Sequence, residues 1–128
     1  MIIGIGVDIV EVPRIQAVID RHGEHFLRRV FTEQEVAYCR SGARPPERFA
    51  GRFAAKEAAL KALGTGWQHG TSFREVEVTT DELGAPALRL SGHTLELSRT
   101  RGVLRWHVSL SHDRHYAVAQ VVAEADAS

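Results

Sequence analysis

The 128-residue sequence predicts a single α+β domain, residues 1–128, in which a long central helix and shorter helices pack on a largely antiparallel sheet. Two observations support this prediction. Residues 2–10 alternate between apolar side chains and glycine or acidic positions in the manner of a strand, whereas residues 45–64 repeat apolar side chains at helical spacing. After this helical stretch the period returns mainly to alternation. The predicted elements are, in order, a strand over 2–10, helices over 13–21, 32–41 and 45–64, strands over 73–80 and 87–90, a helix over 92–101, and strands over 105–111 and 116–123.

The helices are identified from their boundary residues. Pro13 fits a first helical turn, since proline lacks the N–H that this turn leaves unpaired, and we expect the helix to end near Arg21, before a His-Gly pair. Thr32, followed by glutamate three residues later, forms a capping box for the next helix. Pro45 begins the long helix and Gly64 ends it, as expected of proline and glycine at those positions.

The strands are identified from alternation. In the first strand, the glycines and Asp8 lie on one face, and the opposite face carries Ile3, Ile5, Val7 and Ile9. A face with so few side chains allows a ligand or another backbone to approach. The later strands are separated by the turns at 81–84 and 113–115.

Composition excludes several classes of protein. Sixteen basic and sixteen acidic residues cancel, so the chain has no overall bias toward nucleic acid or a membrane surface. One cysteine, Cys39, excludes an intrachain disulfide, and we expect its side chain to be buried. The first residues lack the basic region and long apolar run of a signal peptide, and no run reaches membrane-spanning length. We expect a cytoplasmic protein.

The central helix carries charges where a core helix should carry none. Lys56 falls in the middle of an apolar face, and Glu57 and Lys61 lie one turn apart on its flank. Glu57 therefore lies between two apolar surfaces and needs a cation or a metal as partner. The alternative is an exposed pair of Glu57 and Lys61 at i,i+4 spacing.

Asp8 also has two interpretations. It either caps the following helix or converges with Glu57. In the second case the two carboxylates offer hard oxygen ligands, which suit Mg²⁺ because this ion keeps waters and substrate phosphates as further ligands. Arg48, Arg52 and Lys56 recur every four residues and either hold phosphate oxygens or form a solvated basic stripe.

Three other kinds of site are disfavoured. No nucleophile elbow surrounds Ser111, so its nearness to His112 does not indicate a serine hydrolase. The histidines have no zinc-ligand spacing with a cysteine or glutamate. Gly4-x-Gly6 lacks the third glycine of a dinucleotide-binding fingerprint.

Four motifs carry a resemblance to a known family, in order and over nearly the whole chain. They are Gly4-Ile5-Gly6-Val7-Asp8-Ile9 with Pro13-Arg14-Ile15, Arg52-Phe53-Ala54-Ala55-Lys56-Glu57-Ala58-x-x-Lys61-Ala62-Leu63-Gly64, Gly84-x-Pro86, and His107-Val108-Ser109-Leu110-Ser111-His112. The chain resembles the bacterial holo-[acyl-carrier-protein] synthase family, the short, trimeric type of 4′-phosphopantetheinyl transferase.

The resemblance implies a reaction and its residues. The expected enzyme moves the 4′-phosphopantetheine arm of coenzyme A to a serine of apo acyl carrier protein and releases adenosine 3′,5′-bisphosphate. Asp8 and Glu57 would be the Mg²⁺ ligands and, with Lys61 on the phosphate under attack, the catalytic residues. The residues implied to bind coenzyme A are Arg52, Lys61, Gly64, Pro86, Ser111 and His112.

The resemblance also implies partners. Arg14, Arg21 and Phe26 would form the docking surface for the acidic carrier, and a homotrimer would place each site at a subunit boundary. The general base stays open between Glu57, a metal-bound water and Asp113, and the carrier between the fatty-acid and polyketide types. Residues 67–70 would shape the coenzyme A pocket. The competing hypotheses are a non-catalytic coenzyme A-binding module and an Mg²⁺-dependent phosphohydrolase.

Overall fold

A computed structural model describes residues 1–65 and 70–127. These residues form five strands and four α-helices, which confirms the predicted α+β class. A 3₁₀ turn over Phe73–Glu75 precedes the second strand. The elements are β1 (Ile2–Glu11), α1 (Val12–Val30), α2 (Glu33–Arg40), α3 (Pro45–Leu63), β2 (Val76–Thr80), β3 (Pro86–Leu90), α4 (Gly92–Thr100), β4 (Arg105–His112) and β5 (Tyr116–Glu124).

The strands form two separate antiparallel sheets among the described residues. One has three strands in the order β1-β5-β4, and the other is the hairpin of β2 and β3. The inward face of β5 is built of small residues, Ala117, Ala119, Val121 and Ala123, all of them buried. Because these side chains are short, the long helix α3 packs closely across the three-stranded sheet.

Gly4 and Gly6 explain how α3 approaches β1. A Cβ added to Gly4 would overlap the carbonyl oxygen of Ala62, and one added to Gly6 would overlap that of Ala58. The bare face of β1 therefore receives the backbone of a helix, one of the two possibilities that the glycines left open. The opposite face, with Ile3, Ile5, Val7 and Ile9, is exposed, and we call these four residues the outer β1 face.

The boundary signals of α2 and α3 are confirmed. The Thr32 hydroxyl accepts from the Glu35 N–H while the Glu35 carboxylate accepts from the Thr32 N–H, which completes the capping box. Helix α3 begins at Pro45 and is capped after Leu63 by Gly64, whose φ of 82° favours glycine. Cys39 is buried as predicted, and burial raises the pKa of its thiol to about 12.

Two predicted boundaries are wrong. Helix α1 does not end near Arg21 but continues to Val30 through a kink at Gly23, where φ is 54° and ψ is −134°. Glycine adopts this conformation readily, and the chain returns to helix because Leu27 and Val30 pack into the core. The strand predicted from 73 begins at Val76, since the preceding three residues form the 3₁₀ turn.

Candidate active site

A cavity of about 500 Å³ lies where β1, α1, α3 and the start of β5 meet. It brings together the two carboxylates that the sequence predicted to converge, Asp8 and Glu57, with Lys61 beside them. Arg14 and Phe26, predicted to bind the carrier, line the same cavity. Its further lining residues include Ile15, Val18, Phe53 and Tyr116.

The backbone geometry explains why Asp8 faces Glu57. Asp8 lies on the same face of β1 as Gly4 and Gly6, and this face packs against α3 at Ala58, the residue after Glu57. The close backbone approach therefore brings the strand carboxylate to the helix carboxylate. Burial raises the pKa of Glu57, the negative charge of Asp8 raises it further, and Lys61 opposes both effects.

Lys61 pairs with the strand rather than with its own helix. Its Nζ donates to Asp8 Oδ1 at 3.0 Å and to the Val7 carbonyl oxygen at 3.0 Å. The alternative of an exposed pair between Glu57 and Lys61 therefore does not describe this site. The Lys61 side chain is half exposed and the Asp8 side chain is largely buried, so one ammonium approaches both the carboxylate and the open part of the cavity.

Asp8 and Glu57 provide a donor set that fits Mg²⁺. Both are hard oxygen ligands, and their mutual repulsion is relieved when a cation lies between them. Over residues 1–65 and 70–127 no three histidine, cysteine, aspartate or glutamate side chains form a metal-binding cluster. A site with two carboxylates suits an ion that takes its other ligands from water and substrate.

The basic residues that recur along α3 were predicted either to hold phosphate or to face solvent, and two of them, Arg52 and Lys56, are buried instead. Lys56 is fully buried, and its Nζ donates to Glu35 Oε1 at 2.7 Å, so Lys56 neither holds phosphate nor faces solvent. Burial lowers the pKa of Lys56, and Glu35 opposes that effect. Arg52 is also buried; its guanidinium donates to Thr80 Oγ1 at 3.0 Å and stacks over the Tyr38 ring at 4.4 Å.

Four of the residues implied to bind coenzyme A lie away from this cavity: Arg52, Pro86, Ser111 and His112. His112 Nδ1 is 3.2 Å from Glu47 Oε1, near the first turn of α3, and Ser111 is exposed beside it on β4. Pro86 pairs with Thr80, the residue that receives the Arg52 hydrogen bond. At about 1.5 Å per residue, Arg52 lies about 13 Å along α3 from Lys61. One chain therefore carries the cavity residues and these four residues at separate places.

The structure also describes the three remaining residues that were predicted for the site, Gly64, Arg21 and Asp113. Gly64 caps the end of α3, just beyond Lys61. Arg21 is exposed on α1 and is not among the residues that line the cavity. Asp113 Oδ1 accepts from the N–H groups of Tyr116 and His115 at 2.8 Å each, and these hydrogen bonds lower its pKa.

Sequence reasoning did not assign Phe53 or Tyr116 to the site, although both line the cavity. Phe53 precedes Glu57 by one helical turn, so helical spacing was an available signal. Tyr116 reaches the site because it pairs with Glu11 across the β1–β5 register, which no local pattern reveals. Residues 67–70 were predicted to shape the coenzyme A pocket. Of these four, positions 67–69 lie outside the described residues.

Comparison with known proteins gives one consistent result. The sequence model described as 4′-phosphopantetheinyl transferase superfamily matches residues 4–121. The chain is 50% identical over 124 residues to the holo-[acyl-carrier-protein] synthase of Halothermothrix orenii, covering 97% of this chain and 98% of that relative. The enzyme of the same name from Escherichia coli O8 is 49% identical over 124 residues, with coverage of 97% and 98%.

Solved structures of holo-[acyl-carrier-protein] synthases also resemble the chain. The holo-[acyl-carrier-protein] synthase of Neisseria meningitidis superposes with a TM-score of 0.88 at 36% identity, covering 97% of this chain and 99% of that one. The synthase of Bacillus anthracis, solved in complex with CoA (3′,5′-ADP), gives a TM-score of 0.80 at 41% identity, with coverage of 98% and 99%.

Proposed function

The chain belongs to the 4′-phosphopantetheinyl transferase superfamily, and we propose that it transfers the 4′-phosphopantetheine arm of coenzyme A to a serine of apo acyl carrier protein, releasing adenosine 3′,5′-bisphosphate. The observation that carries this proposal is the single cavity that holds Asp8, Glu57 and Lys61 beside Arg14. It provides charged groups for a pyrophosphate and a basic rim for an acidic protein.

The side chains of this cavity suit phosphoryl transfer. Asp8 and Glu57 would hold Mg²⁺, which neutralises charge on the pyrophosphate when it is bound. Lys61 is half exposed, and its ammonium reaches from Asp8 toward the open cavity, where it can stabilise the negative charge that develops on the leaving oxygen. Phosphoryl transfer asks the protein mainly for such positioning and charge neutralisation.

The chemical step exchanges one P–O bond for another. The serine oxygen of the carrier bonds to the phosphorus next to the pantetheine arm, and the bond from that phosphorus to the bridging oxygen breaks. The serine proton moves to a carboxylate of the site. Glu57 lies in the cavity, whereas Asp113 is occupied by two backbone N–H groups of its turn, so of these two carboxylates we favour Glu57 as the base.

We place the carrier on α1. Arg14 and Arg21 are exposed there, and Phe26 contributes an apolar surface to the cavity. Arg14 at the rim of the site and Arg21 further along the helix attract and orient an acidic partner. The apolar surface of Phe26 then receives a side chain of the carrier.

We further propose that the enzyme is a homotrimer with its sites at subunit boundaries. Two observations favour this arrangement. The outer β1 face exposes four branched side chains, with 41–65% of each accessible, and such a patch is typical of an interface. In addition, Arg52, Pro86 and His112 lie outside the cavity of Asp8 and Glu57, so a neighbouring copy would bring the two groups together. Native mass spectrometry should give three copies, and Ile5→Glu should give one.

The cytoplasmic location stays a prediction. Among the described residues, no helix is both long and apolar enough to cross a membrane.

The intact mass of an apo carrier incubated with the protein, coenzyme A and Mg²⁺ tests the function. A gain of one phosphopantetheine arm is expected, and EDTA should abolish it. Glu57→Gln should lose the gain, while Glu96→Gln, which changes an exposed glutamate of α4, should keep it. If several carriers gain no mass although coenzyme A binds, the protein is a coenzyme A-binding module instead.

A further inference from the structure

The fully buried ion pair of Lys56 and Glu35 is a feature of the core that the proposed chemistry does not use. Neither side chain is accessible to solvent. Lys56 Nζ donates all three of its protons, to Glu35 Oε1 at 2.7 Å, to the Val76 carbonyl oxygen at 2.7 Å and to the Phe73 carbonyl oxygen at 3.0 Å. A lysine so completely satisfied holds the segments that carry its acceptors in fixed positions.

Glu35 adds two backbone hydrogen bonds to the same network. Its Oε1 also accepts from the Thr32 N–H at 2.8 Å, in the capping box of α2. Its Oε2 accepts from the Val78 N–H at 2.8 Å, in β2. The pair therefore ties together α2, α3, β2 and the 3₁₀ turn. An apolar pair of similar volume would fill this space but could not hold these backbone groups.

The network reaches the active-site cavity through aromatic contacts. Phe73, whose carbonyl oxygen Lys56 holds, has its ring centroid 5.5 Å from that of Phe53. The Phe53 ring lies 6.4 Å from the Phe26 ring, and both of these line the cavity of Asp8 and Glu57. Phe73 itself is not among the residues that line this cavity. The buried pair therefore supports the apolar wall of the cavity from behind.

The two carboxylates are held by a different contact. Asp8 and Glu57 are brought together by Gly4 and Gly6 against the backbone of α3, on the other side of the helix. Loss of the buried pair should consequently disturb the aromatic wall more than the carboxylates.

We propose that Lys56 and Glu35 are positioning residues. Through Phe73, which packs behind Phe53, they fix the aromatic wall of Phe26 and Phe53 against which the carrier protein docks. This inference rests on the proposal that the carrier meets the cavity at the rim of Arg14 and Phe26. It assigns the pair to recognition of the carrier and not to binding of coenzyme A.

The double variant Lys56→Met/Glu35→Gln tests the inference without leaving a buried charge unpaired. We expect the KM for the carrier to rise on the order of tenfold, because a displaced wall misplaces the docked protein. The KM for coenzyme A should not change. A purely structural role would lower the folded fraction and the apparent kcat and would leave both KM values as they were.

Two further variants make the result decisive. Val103→Ala shortens a core side chain that is not part of the cavity, so it should lower the melting temperature without altering either KM. Phe73→Leu keeps the buried pair but removes the ring contact with Phe53, and it should raise the KM for the carrier even if the double variant does not fold. An unchanged KM for the carrier in Phe73→Leu, or in a folded double variant, would overturn the proposal.

The variant Arg14→Glu separates this inference from the docking proposal. If Arg14→Glu raises the KM for the carrier and the double variant does not, the docking surface stands and the positioning role is wrong. If the double variant raises it and Arg14→Glu does not, the wall recognises the carrier but the basic rim does not.

Discussion

Replacement of Gly6 by alanine should destabilise the protein, although the backbone of Gly6 accepts alanine. Gly6 is not among the described glycines with positive φ, so a side chain causes no backbone strain. In an open strand, a Gly→Ala change would stabilise the fold by about 0.4–1 kcal/mol, because alanine has less conformational freedom in the unfolded chain. Here the new Cβ would overlap the Ala58 carbonyl oxygen, which belongs to the backbone of α3.

The structure gives the size of the effect. Neither backbone can yield by a rotamer change, so strand and helix must separate, and overpacking of this kind costs about 1–3 kcal/mol. At roughly 3–5 °C per kcal/mol for a domain of this size, the melting temperature should fall by about 3–15 °C. The protein should stay folded at 25 °C, since native domains have stabilities of about 5–15 kcal/mol.

The same separation should affect the reaction more than the stability. Gly6 lies two residues before Asp8, and Ala58 directly follows Glu57, so the displacement moves the two carboxylates apart. We expect kcat to fall on the order of 100-fold at 25 °C, measured as carrier converted per unit time. Val103→Ala is the control, since it lowers stability without moving β1 from α3.

Two results would refute this reasoning. A higher melting temperature for Gly6→Ala would show that the general effect of alanine outweighs the contact with Ala58. An unchanged kcat together with a lower melting temperature would show that this contact does not position the carboxylates.

Three further predictions follow from single contacts. Arg14→Glu should raise the KM for the carrier far more than that for coenzyme A, whereas Arg99→Glu, on an exposed position of α4, should change neither; equal effects on both substrates would contradict the docking surface. The buried Cys39 thiol, with its pKa raised to about 12, should react with a thiol reagent only at the rate of unfolding, and fast labelling of the native protein would contradict its burial. Glu124 has its pKa lowered to about 2 by hydrogen bonds from His107 and Arg105, so its stabilising effect should be complete above pH 4.5 and lost as the pH falls toward 2. Acid denaturation of Glu124→Gln should therefore lack this part of the pH dependence, and an unchanged profile would contradict the pairing.

Local sequence signals predicted the parts of the fold that depend on nearby residues. The capping box of Thr32, the start at Pro45 and the end at Gly64 each involve groups within one helical turn, so the sequence contains all of the relevant chemistry. The alternation of β1 depends only on the period of a strand. The end of α1 was missed because Gly23 is a typical stop signal, whereas packing of the residues beyond it restores the helix.

The candidate site was predictable in its chemistry but not in its contacts. A carboxylate between apolar surfaces indicated that Glu57 needs a partner, and the bare face around Asp8 indicated a close approach. The identity of the partners depends on tertiary distance: Lys61 binds Asp8, 53 positions away, and Lys56 binds Glu35, 21 positions away. Periodicity places a side chain on a face but does not reveal which element covers that face.

The most direct test of the proposed transfer is the stoichiometry of its two products. The protein, coenzyme A and Mg²⁺ are incubated with and without an apo acyl carrier protein, and both adenosine 3′,5′-bisphosphate and the mass of the carrier are measured. The account predicts one adenosine 3′,5′-bisphosphate for each phosphopantetheine arm attached to a carrier serine, and none without carrier. Release of adenosine 3′,5′-bisphosphate without carrier, or without a gain in carrier mass, would contradict it and indicate a phosphohydrolase that uses water.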